Sequence, residues 1–113
     1  MLFRSPTVFG DGRQTRDWVE VGDVVRANLR AAETDVGGPV NIGWGRETSV
    51  LELLSALDDV GDRFGSLREP RFAPERPGEV RRSCLDVSRA GRELGWEARV
   101  QLREGLRTIL AGL

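Results

Sequence analysis

The segment Arg76–Glu79 places a guanidinium and a carboxylate three residues apart, with Pro77 and Gly78 between them. A planar guanidinium binds phosphate oxygens in pairs, and a carboxylate can accept hydrogen bonds from both hydroxyls of a ribose. Proline fixes one backbone angle and glycine frees the next, which suits a turn on which two side chains converge. The residues alone fit a nucleotide-binding turn and a solvated charged turn equally well.

Arg16 is a second candidate for binding phosphate. It lies in Thr15–Val21, where polar and apolar residues alternate as in a short, half-buried strand. Arg16 either forms a surface ion pair with Asp17 or points into a cleft and binds an anion. The residues alone favour the ion pair, because most surface arginines contribute little.

Two glycine motifs are weaker candidates for phosphate-binding loops. Gly43-Trp44-Gly45 lies between a predicted strand and a predicted helix, as in a dinucleotide fingerprint. Thr48 stands where the third glycine belongs, and no acidic ribose ligand follows at the required distance, so the pattern favours a plain strand-to-helix turn. Gly10-Asp11-Gly12 could form a nest of backbone amides for an anion, but its composition is more typical of a tight turn.

The residue types that are missing limit the chemistry of this sequence. Its 113 residues include no His, Lys or Tyr, and all 17 basic residues are Arg. A Ser-His-Asp arrangement, a Schiff-base lysine and a phenolic acid are therefore excluded. Any chemistry must come from carboxylates, Ser, Thr or Cys84, or from another chain.

Length and charge narrow the class of protein further. The chain is long enough for one compact domain, and its apolar runs are too short to span a membrane. A net charge of −1 and a pI near 5.5 argue against a nucleic-acid partner. Cys84 is the single cysteine, which excludes an internal disulfide, fits a reducing cytoplasm and leaves no Cys/His metal site.

Short strands alternating with helices predict an α/β fold without a long parallel strand. Three strands are predicted, at Thr15–Val21, Val40–Gly43 and Arg71–Ala73. Four helices are predicted, and the first is Asp23–Ala32. The second runs from Thr48 or Ser49 to near Gly61 and starts with a Ser49–Glu52 capping box. The third is Val87–Leu94 with Asp86 as its N-cap, and the last contains Leu102, Leu106, Ile109 and Leu110 on its apolar face. Residues 62–70 lack periodicity and are predicted to form a loop.

The order of these motifs resembles the extended short-chain dehydrogenase/reductase family. Within that family it is similar to the UDP-glucose 4-epimerases and related NAD-dependent nucleotide-sugar epimerases and dehydratases. The resemblance runs from about residue 6 to the end of the chain. It rests on Pro6–Gly12, Gln14–Val19, Asp23–Val25, Asn41–Gly43, Gly45, Thr48–Val50, Arg76–Ser83, Asp86–Ala90, Glu93–Trp96 and Leu102–Leu106.

The resemblance covers only the family's C-terminal third. It therefore implies one small substrate-binding lobe, residues 1–113, that lacks the family's Rossmann lobe. That lobe carries the glycine-rich NAD loop and a Tyr-x-x-x-Lys catalytic pair, which a chain without Tyr and Lys does not contain. The resemblance thus implies no catalytic, cofactor-binding or metal-binding residues here, and it assigns NAD to the complete enzyme.

By resemblance, the family's substrate-binding positions carry over residue by residue. Val8 and Phe9 would line the base pocket, partly through their backbone. Arg16 and Arg76 would clamp the diphosphate, and Glu79 would hold the ribose of a uridine or thymidine. Four further matching residues are expected to be structural: Asp17, Asp23, Asn41 and Trp96.

The sequence therefore predicts the nucleotide-sugar-binding portion of a cytoplasmic NAD-dependent epimerase or dehydratase, not catalytically competent alone. Its ligand would be a UDP- or dTDP-linked sugar, and its partner a Rossmann-lobe chain or a second copy, with no nucleic acid or membrane. The alternative is a non-enzymatic structural or interaction module derived from the same family. Without the Rossmann lobe, an apolar surface should be exposed, which favours self-association or local disorder near residues 1–20.

Overall fold

The computed structural model describes residues 5–61 and 69–112. Four short strands in these ranges form two two-stranded sheets: β1 (Thr7–Phe9) pairs in parallel with β4 (Arg71–Ala73), and β2 (Thr15–Arg16) pairs antiparallel with β3 (Thr48–Ser49). The helices are α1 (Val21–Ala32), α2 (Val50–Val60), a π-helical segment (Ala90–Leu94) and α3 (Leu102–Ala111). The α/β class and the four predicted helices are confirmed.

The predicted strand Val40–Gly43 is wrong. Over the described ranges this segment has no hydrogen-bonded strand neighbour, and Val40 and Ile42 pack instead against the hydrophobic cluster around Trp96. A strand forms only where a neighbouring strand satisfies its backbone groups, so apolar alternation without such a neighbour gives an irregular packed segment.

The other strand predictions are partly confirmed. Arg71–Ala73 is a strand as predicted, because β1 supplies its parallel neighbour. The predicted strand Thr15–Val21 shortens to Thr15–Arg16, because β3 pairs with only these two residues and helix α1 already begins at Val21. β1 and β3 were not predicted, and each contains only two or three residues.

The bounds of the first two helices follow from their N-caps. α1 begins two residues before the predicted start, because the carboxylate of Glu20 accepts the backbone N–H of Asp23 at 3.1 Å and so caps the helix. α2 has the predicted capping box, in which the Ser49 hydroxyl accepts the Glu52 N–H and the Glu52 carboxylate accepts the Ser49 N–H. α2 ends at Val60, next to the predicted stop.

The predicted third helix begins one residue late and is partly π-helical. Residues 88–94 are helical, and the Asp86 carboxylate accepts both the N–H and the hydroxyl of Ser88. Gly95 ends the segment with a φ of 60°, and the N–H of Trp96 then donates back to the Ala90 carbonyl at 3.2 Å. This reversal turns Trp96 into the interior, where it is 1% exposed.

The hydrophobic core lies between α1 and the π-helical segment and is organised around Asp23. Its buried members are Ala27, Ala90, Leu94 and Trp96. The Asp23 carboxylate is 2% exposed and accepts hydrogen bonds from the Arg99 N–H, the Val100 N–H and Arg26 Nη2 at 2.8–3.0 Å.

Asp23 also receives the Trp96 indole N–H, at its backbone carbonyl and 3.0 Å. Burial acts to raise the pKa of the Asp23 carboxyl. The hydrogen bonds donated by Val100, Arg26 and Arg99 together lower this pKa by more than burial raises it, so the net shift is downward. Asp23 is thus a fully satisfied buried charge that joins α1 to the chain after the π-helical segment.

The chain forms a flat body of 48 × 34 × 16 Å. Its accessible surface is 7907 Å², whereas a compact monomer of this mass exposes about 6,200 Å². Part of the excess is an apolar stripe on α1, formed by Val21, Val25 and Leu29 at successive turns and 51–73% exposed. The expected exposed apolar surface is therefore present.

The two segments expected to be loop-like or disordered are only partly described. Residues 62–68 of the predicted loop, and residues 1–4, lie outside the described residues. Residues 5–20 contain β1, a turn and β2, and both strands pair with later parts of the chain. No helix in the described ranges is long and apolar enough to cross a bilayer.

Candidate functional site

The parallel pairing of β1 and β4 brings the first half of the candidate site to the second. Gly10 follows β1, and its N–H donates to the Ala73 carbonyl at 2.9 Å, which extends the ladder by one residue. Gly10 has a φ of 80°, so the chain turns away directly after this bond. The segment after Ala73, which includes Arg76 and Glu79, therefore starts beside Phe9.

The Arg76–Glu79 segment forms the tight turn predicted from its sequence. The Glu79 N–H donates to the Arg76 carbonyl at 3.3 Å, and Gly78 has a φ of 76°. Proline at the second position and a positive-φ glycine at the third are the signature of a type II turn. The turn places Arg76 and Glu79 at its two ends.

A second backbone connection aligns β2 with the residues after this turn. The Thr15 N–H donates to the Arg81 carbonyl at 2.9 Å, and the Ser83 N–H donates to the Thr15 carbonyl at 3.2 Å. Arg16 therefore lies beside Val80 and reaches back toward Glu79. The sequence contains no strand pattern at 81–83 that would have revealed this contact.

Two bidentate ion pairs hold this connection in place. Arg81 donates to both carboxylate oxygens of Asp11 at 2.8 Å, and Arg82 donates to both oxygens of Glu47 at 2.7–2.8 Å. The Arg81 guanidinium holds the pKa of Asp11 well below its usual range. Arg82, together with the Thr15 hydroxyl, lowers the pKa of Glu47 to about 2. Both arginines are therefore engaged in holding the segment rather than open to a ligand.

Arg16 and Glu79 meet, which the sequence did not predict as a pair. Arg16 Nη2 lies 3.5 Å from Glu79 Oε1, and the side chains are 32% and 23% exposed. Arg16 Nη1 donates to the carbonyls of Thr15 and Val80 at 2.6 and 2.8 Å. Arg16 thus points toward the Glu79 turn, so of the two alternatives for Arg16 the surface pair with Asp17 is not formed.

Arg76 and Phe9 form a second pair. The Arg76 guanidinium lies over the Phe9 ring, 3.8 Å from its centroid. Stacking on a ring fixes the plane of the guanidinium and leaves the N–H groups at its edge available to an anion. Val8, by contrast, is 2% exposed, so its side chain belongs to the interior.

Gln14 joins the two halves of the site and was given no role by the sequence. Its Nε2 donates to the Phe9 carbonyl at 3.0 Å and lies 3.4 Å from Glu79 Oε1. Gln14 and Arg16 are two residues apart, and residues at this spacing share a face of an extended chain. Because Arg16 was a candidate ligand, this spacing rule would have identified Gln14 as a residue facing the same site.

These side chains surround a narrow crevice rather than an open pocket. It is lined by Phe9, Gly10, Gln14, Glu75, Glu79, Val80 and Arg81, and as described it has no room for a water molecule. Larger grooves, of about 410 and 260 Å³, lie against α2 and α3. The 260 Å³ groove is almost wholly apolar, and neither groove contains any of the predicted phosphate or ribose ligands.

The Gly43-Trp44-Gly45 turn does not offer a dinucleotide site. Asp17 Oδ1 accepts the Trp44 N–H at 2.7 Å, and Asp17 Oδ2 accepts the Gly45 N–H at 2.8 Å. A carboxylate of the chain itself thus occupies the amides that a pyrophosphate would need. The residues present do not fit NAD at this turn, and the interpretation as a plain turn is supported.

Neither a metal site nor an activated thiol is found in the described part of the chain. It holds no cluster of three or more His, Cys, Asp or Glu side chains that could bind a metal ion. Partial desolvation and the nearby carboxylates of Asp17 and Glu47 raise the pKa of the Cys84 thiol. A thiol with a raised pKa is mostly protonated at neutral pH, so Cys84 is a poor nucleophile.

The chain belongs to the GDP-mannose 4,6-dehydratase family, whose model matches residues 3–109. It is 44% identical over 107 residues to a putative UDP-glucose 4-epimerase of Methanocaldococcus jannaschii, covering 95% of this chain and 33% of that protein. It is 46% identical over 104 residues to a UDP-glucose 4-epimerase of Mycolicibacterium smegmatis, covering 91% of this chain and 32% of that protein.

Solved structures give the same result for the fold. The UDP-glucose 4-epimerase of Thermotoga maritima, solved with UDP-glucose, is similar with a TM-score of 0.87 and 43% identity, over 95% of this chain and 34% of that one. The UDP-glucose 4-epimerase of Bifidobacterium longum, solved with NAD+ and UDP, has a TM-score of 0.84 at 26% identity over 96% and 34%. The chain thus spans about a third of its relatives' length, which fits the C-terminal portion implied by the resemblance.

Proposed function

We propose that this chain is the nucleotide-sugar-binding portion of an NAD-dependent sugar epimerase or dehydratase. It binds the nucleoside diphosphate part of a UDP-linked sugar, with dTDP-linked sugars as the second ligand class. The observation that carries the proposal is the convergence of Arg16 and Glu79, from opposite halves of the chain, beside Phe9 and Arg76. The named UDP-glucose epimerase relatives support the same ligand class.

Each group has a role that its chemistry supports. Arg76, oriented on the Phe9 ring and exposed at its edge, binds the diphosphate together with Arg16. Glu79 accepts hydrogen bonds from the ribose hydroxyls, and Val8 and Phe9 contact the base, Val8 through its backbone. Because the crevice is closed as described, binding requires a lining side chain such as Glu75 to move aside.

The same proposal holds that the chain does not catalyse hydride transfer alone. It contains neither Tyr nor Lys, and the one glycine-rich turn that might hold a dinucleotide is occupied by Asp17. The catalytic pair and the NAD loop would come from another polypeptide segment or another chain. The flat shape and the surplus surface, together with the exposed α1 stripe, support such a partner.

A structural or interaction module without nucleotide binding is the second candidate function. The observation that favours it is that Arg16 already donates to two carbonyls and faces Glu79, so its guanidinium is satisfied without a ligand. In that case the site residues only fasten β2 to the Arg76–Glu79 turn. A binding measurement separates the two candidates.

Isothermal titration of the chain with UDP, and then of Arg16→Ala and Arg76→Ala, tests the proposal. We expect UDP binding by the unaltered chain and a loss of affinity of about tenfold or more in each variant, as for removal of a hydrogen bond to a charged group. Arg107→Ala, which removes an exposed arginine on α3, is the charge-matched control and should bind UDP normally. Absence of binding at millimolar UDP would favour the second candidate.

An activity assay tests the claim that the chain is not competent alone. Incubation with UDP-glucose, with and without NAD, should give no UDP-galactose. Any turnover that follows the protein through purification would overturn this part of the proposal. The test is independent of the titration, because a chain can bind UDP without transforming the sugar.

A further inference from the structure

We propose that Gln14 is a positioning residue that holds the Glu79 carboxylate in the orientation that accepts the ribose hydroxyls. The proposal rests on the proposed function, since it concerns the same ligand. Gln14 itself does not touch the ligand. Its amide instead holds one carboxylate oxygen of Glu79, so that the other oxygen is free to bind the ligand.

The burial and the contacts of Gln14 support this role. The residue is 6% exposed, although it lies in a loop at the edge of the fold. Nε2 donates to the Phe9 carbonyl at the end of β1 and to Glu79 on the turn, while the Gln14 carbonyl accepts the Val50 N–H at the start of α2. One residue therefore ties the turn to two elements of the scaffold.

The contacts also fix the orientation of the amide. Both groups near Nε2, a carbonyl oxygen and a carboxylate oxygen, are acceptors without a proton to donate. A flipped amide would place Oε1 against two other oxygens and lose both hydrogen bonds. Gln14 can therefore be only the donor to Glu79, a role that Glu or Met cannot fill.

The donors around Glu79 determine which of its oxygens faces the ligand. Gln14 Nε2 lies 3.4 Å and Arg16 Nη2 lies 3.5 Å from the same atom, Oε1. Among the contacts of the described residues, none engages Oε2. With Oε1 held from two sides, Oε2 is the acceptor presented to a ribose hydroxyl.

One polar atom of Gln14 is left without a partner. Gln14 Oε1 is buried and has no hydrogen-bond partner among the described residues, and the crevice beside it has no room for a bridging water. An unsatisfied buried acceptor destabilises the folded state, so an apolar side chain of the same shape would remove that penalty but would also lose the hydrogen bonds that Nε2 donates to Phe9 and Glu79. The contribution of Gln14 therefore lies in its donor group and not in its oxygen.

Gln14→Met tests the proposal, because methionine matches the shape of glutamine and cannot donate. The chain's other glutamine supplies the control: Gln101 is exposed and its side chain makes no capping hydrogen bond, so Gln101→Met should change nothing. For each variant we measure the melting temperature and the affinities for UDP and 2′-deoxy-UDP. We expect UDP affinity reduced about fivefold to tenfold in Gln14→Met, with a small change in melting temperature, because the buried Oε1 is removed but the hydrogen bond to the Phe9 carbonyl is lost with it.

The preference for ribose is the result that a merely structural role would not produce. In Gln14→Met the ratio of UDP to 2′-deoxy-UDP affinity should fall toward that of Glu79→Ala, and the double variant should lose little more than either single one. Equal losses for both nucleotides, or additive losses in the double variant, would each overturn the proposal.

A measurement without ligand separates failure of this inference from failure of the proposed function. If the unaltered chain does not bind UDP, the proposed function is overturned. In the NMR spectrum, the side-chain amide signals of Gln14 should shift when Glu79 is replaced by Ala and should not shift in Glu75→Ala. Unmoved signals in Glu79→Ala would show that Gln14 does not hold Glu79, whatever the chain binds.

Discussion

Asp23 and Gln14 both have buried polar side chains, but they differ in how completely their polar atoms are hydrogen-bonded. The carboxylate of Asp23 has three donors and its backbone carbonyl has a fourth, so every group of this residue that faces the core has a partner. Gln14 has acceptors for its Nε2 and none of the described residues donates to its Oε1. Both residues are more than nine-tenths buried.

This difference separates a scaffold region from a site region. Around Asp23, the donors are two backbone amides, an indole and the Arg26 guanidinium, and together they satisfy the residue. Around Gln14, Nε2 donates to a carbonyl and to the Glu79 carboxylate, which Arg16 also contacts, beside a crevice. Complete satisfaction is what a structural residue is expected to show, and an incomplete set of partners at a convergence of charges is typical of a functional site.

Asp23→Ala should have the largest effect on folding. The change leaves the N–H groups of Arg99 and Val100 without acceptors, so we expect a loss of about 3 kcal/mol or more in the free energy of unfolding. Urea denaturation followed by tryptophan fluorescence measures it, because Trp96 lies in the same cluster.

Asp86→Ala is the matched control for Asp23→Ala. Asp86 is also an aspartate that accepts a backbone N–H, at Ser88, but it is exposed and should cost only about 0.5–1 kcal/mol. Equal losses in the free energy of unfolding would show that Asp23 does not organise the core. The view of the Asp23 region as the scaffold would then be wrong.

A pair of glycine substitutions should have an intermediate effect and shows which side of the site is packed. Gly12 and Gly78 have nearly equal positive φ angles, 78° and 76°, so alanine strains both backbones by about 1–2 kcal/mol. A Cβ on Gly12 would also meet the Leu51 side chain at 2.7 Å, whereas no described atom lies within 4 Å of one on Gly78.

Gly12→Ala should therefore lower the melting temperature more than Gly78→Ala. Thermal denaturation of both variants measures the two melting temperatures, one reporting on the packed loop at Gly12 and the other on the open turn at Gly78. Equal shifts would mean that Leu51 moves aside freely and that the loop below Gln14 is not rigid. That result would weaken the view of Gln14 as a fixed support.

Local sequence patterns predicted the helices of this fold better than the pairing of its strands. The capping box at Ser49 and the stop at Gly95 depend on neighbouring residues, and both were readable from the sequence. Val40–Gly43 has the composition of a strand, but whether it becomes one depends on a neighbouring strand, which lies outside any local window. β1 and β3 were missed because two or three residues give too little alternation to recognise.

The candidate site shows the same limit. Its charged members, Arg16, Arg76 and Glu79, were predicted by residue type and by the resemblance. Their pairing was not predicted, because Arg16 meets Glu79 only through the backbone bonds between Thr15 and the residues after the turn. Gln14 carries no charge and so gave no signal by type, although its spacing from Arg16 did place it on the same face.

Acid should have the smallest effect and should act on the ion pairs of the site region. Arg82 lowers the folded-state pKa of Glu47 from 4.5 to about 2, and Arg81 lowers that of Asp11. A lowered folded-state pKa means that the stabilisation is complete above pH 4.5 and is lost as the pH falls toward 2. Because both pairs are exposed to solvent, each contributes little, and salt should reduce the effect.

Melting temperatures measured between pH 5 and pH 2 should therefore fall slightly less steeply in Glu47→Gln than in the unaltered chain. Glu97→Gln removes an exposed carboxylate outside these pairs and should leave the slope unchanged. The buried Asp23 also has a lowered pKa, so a residual acid dependence should persist in Glu47→Gln. If Glu47→Gln abolished the whole dependence, the ion pairs of the site region would outweigh the buried charge of the scaffold, and the comparison between the two regions would be reversed.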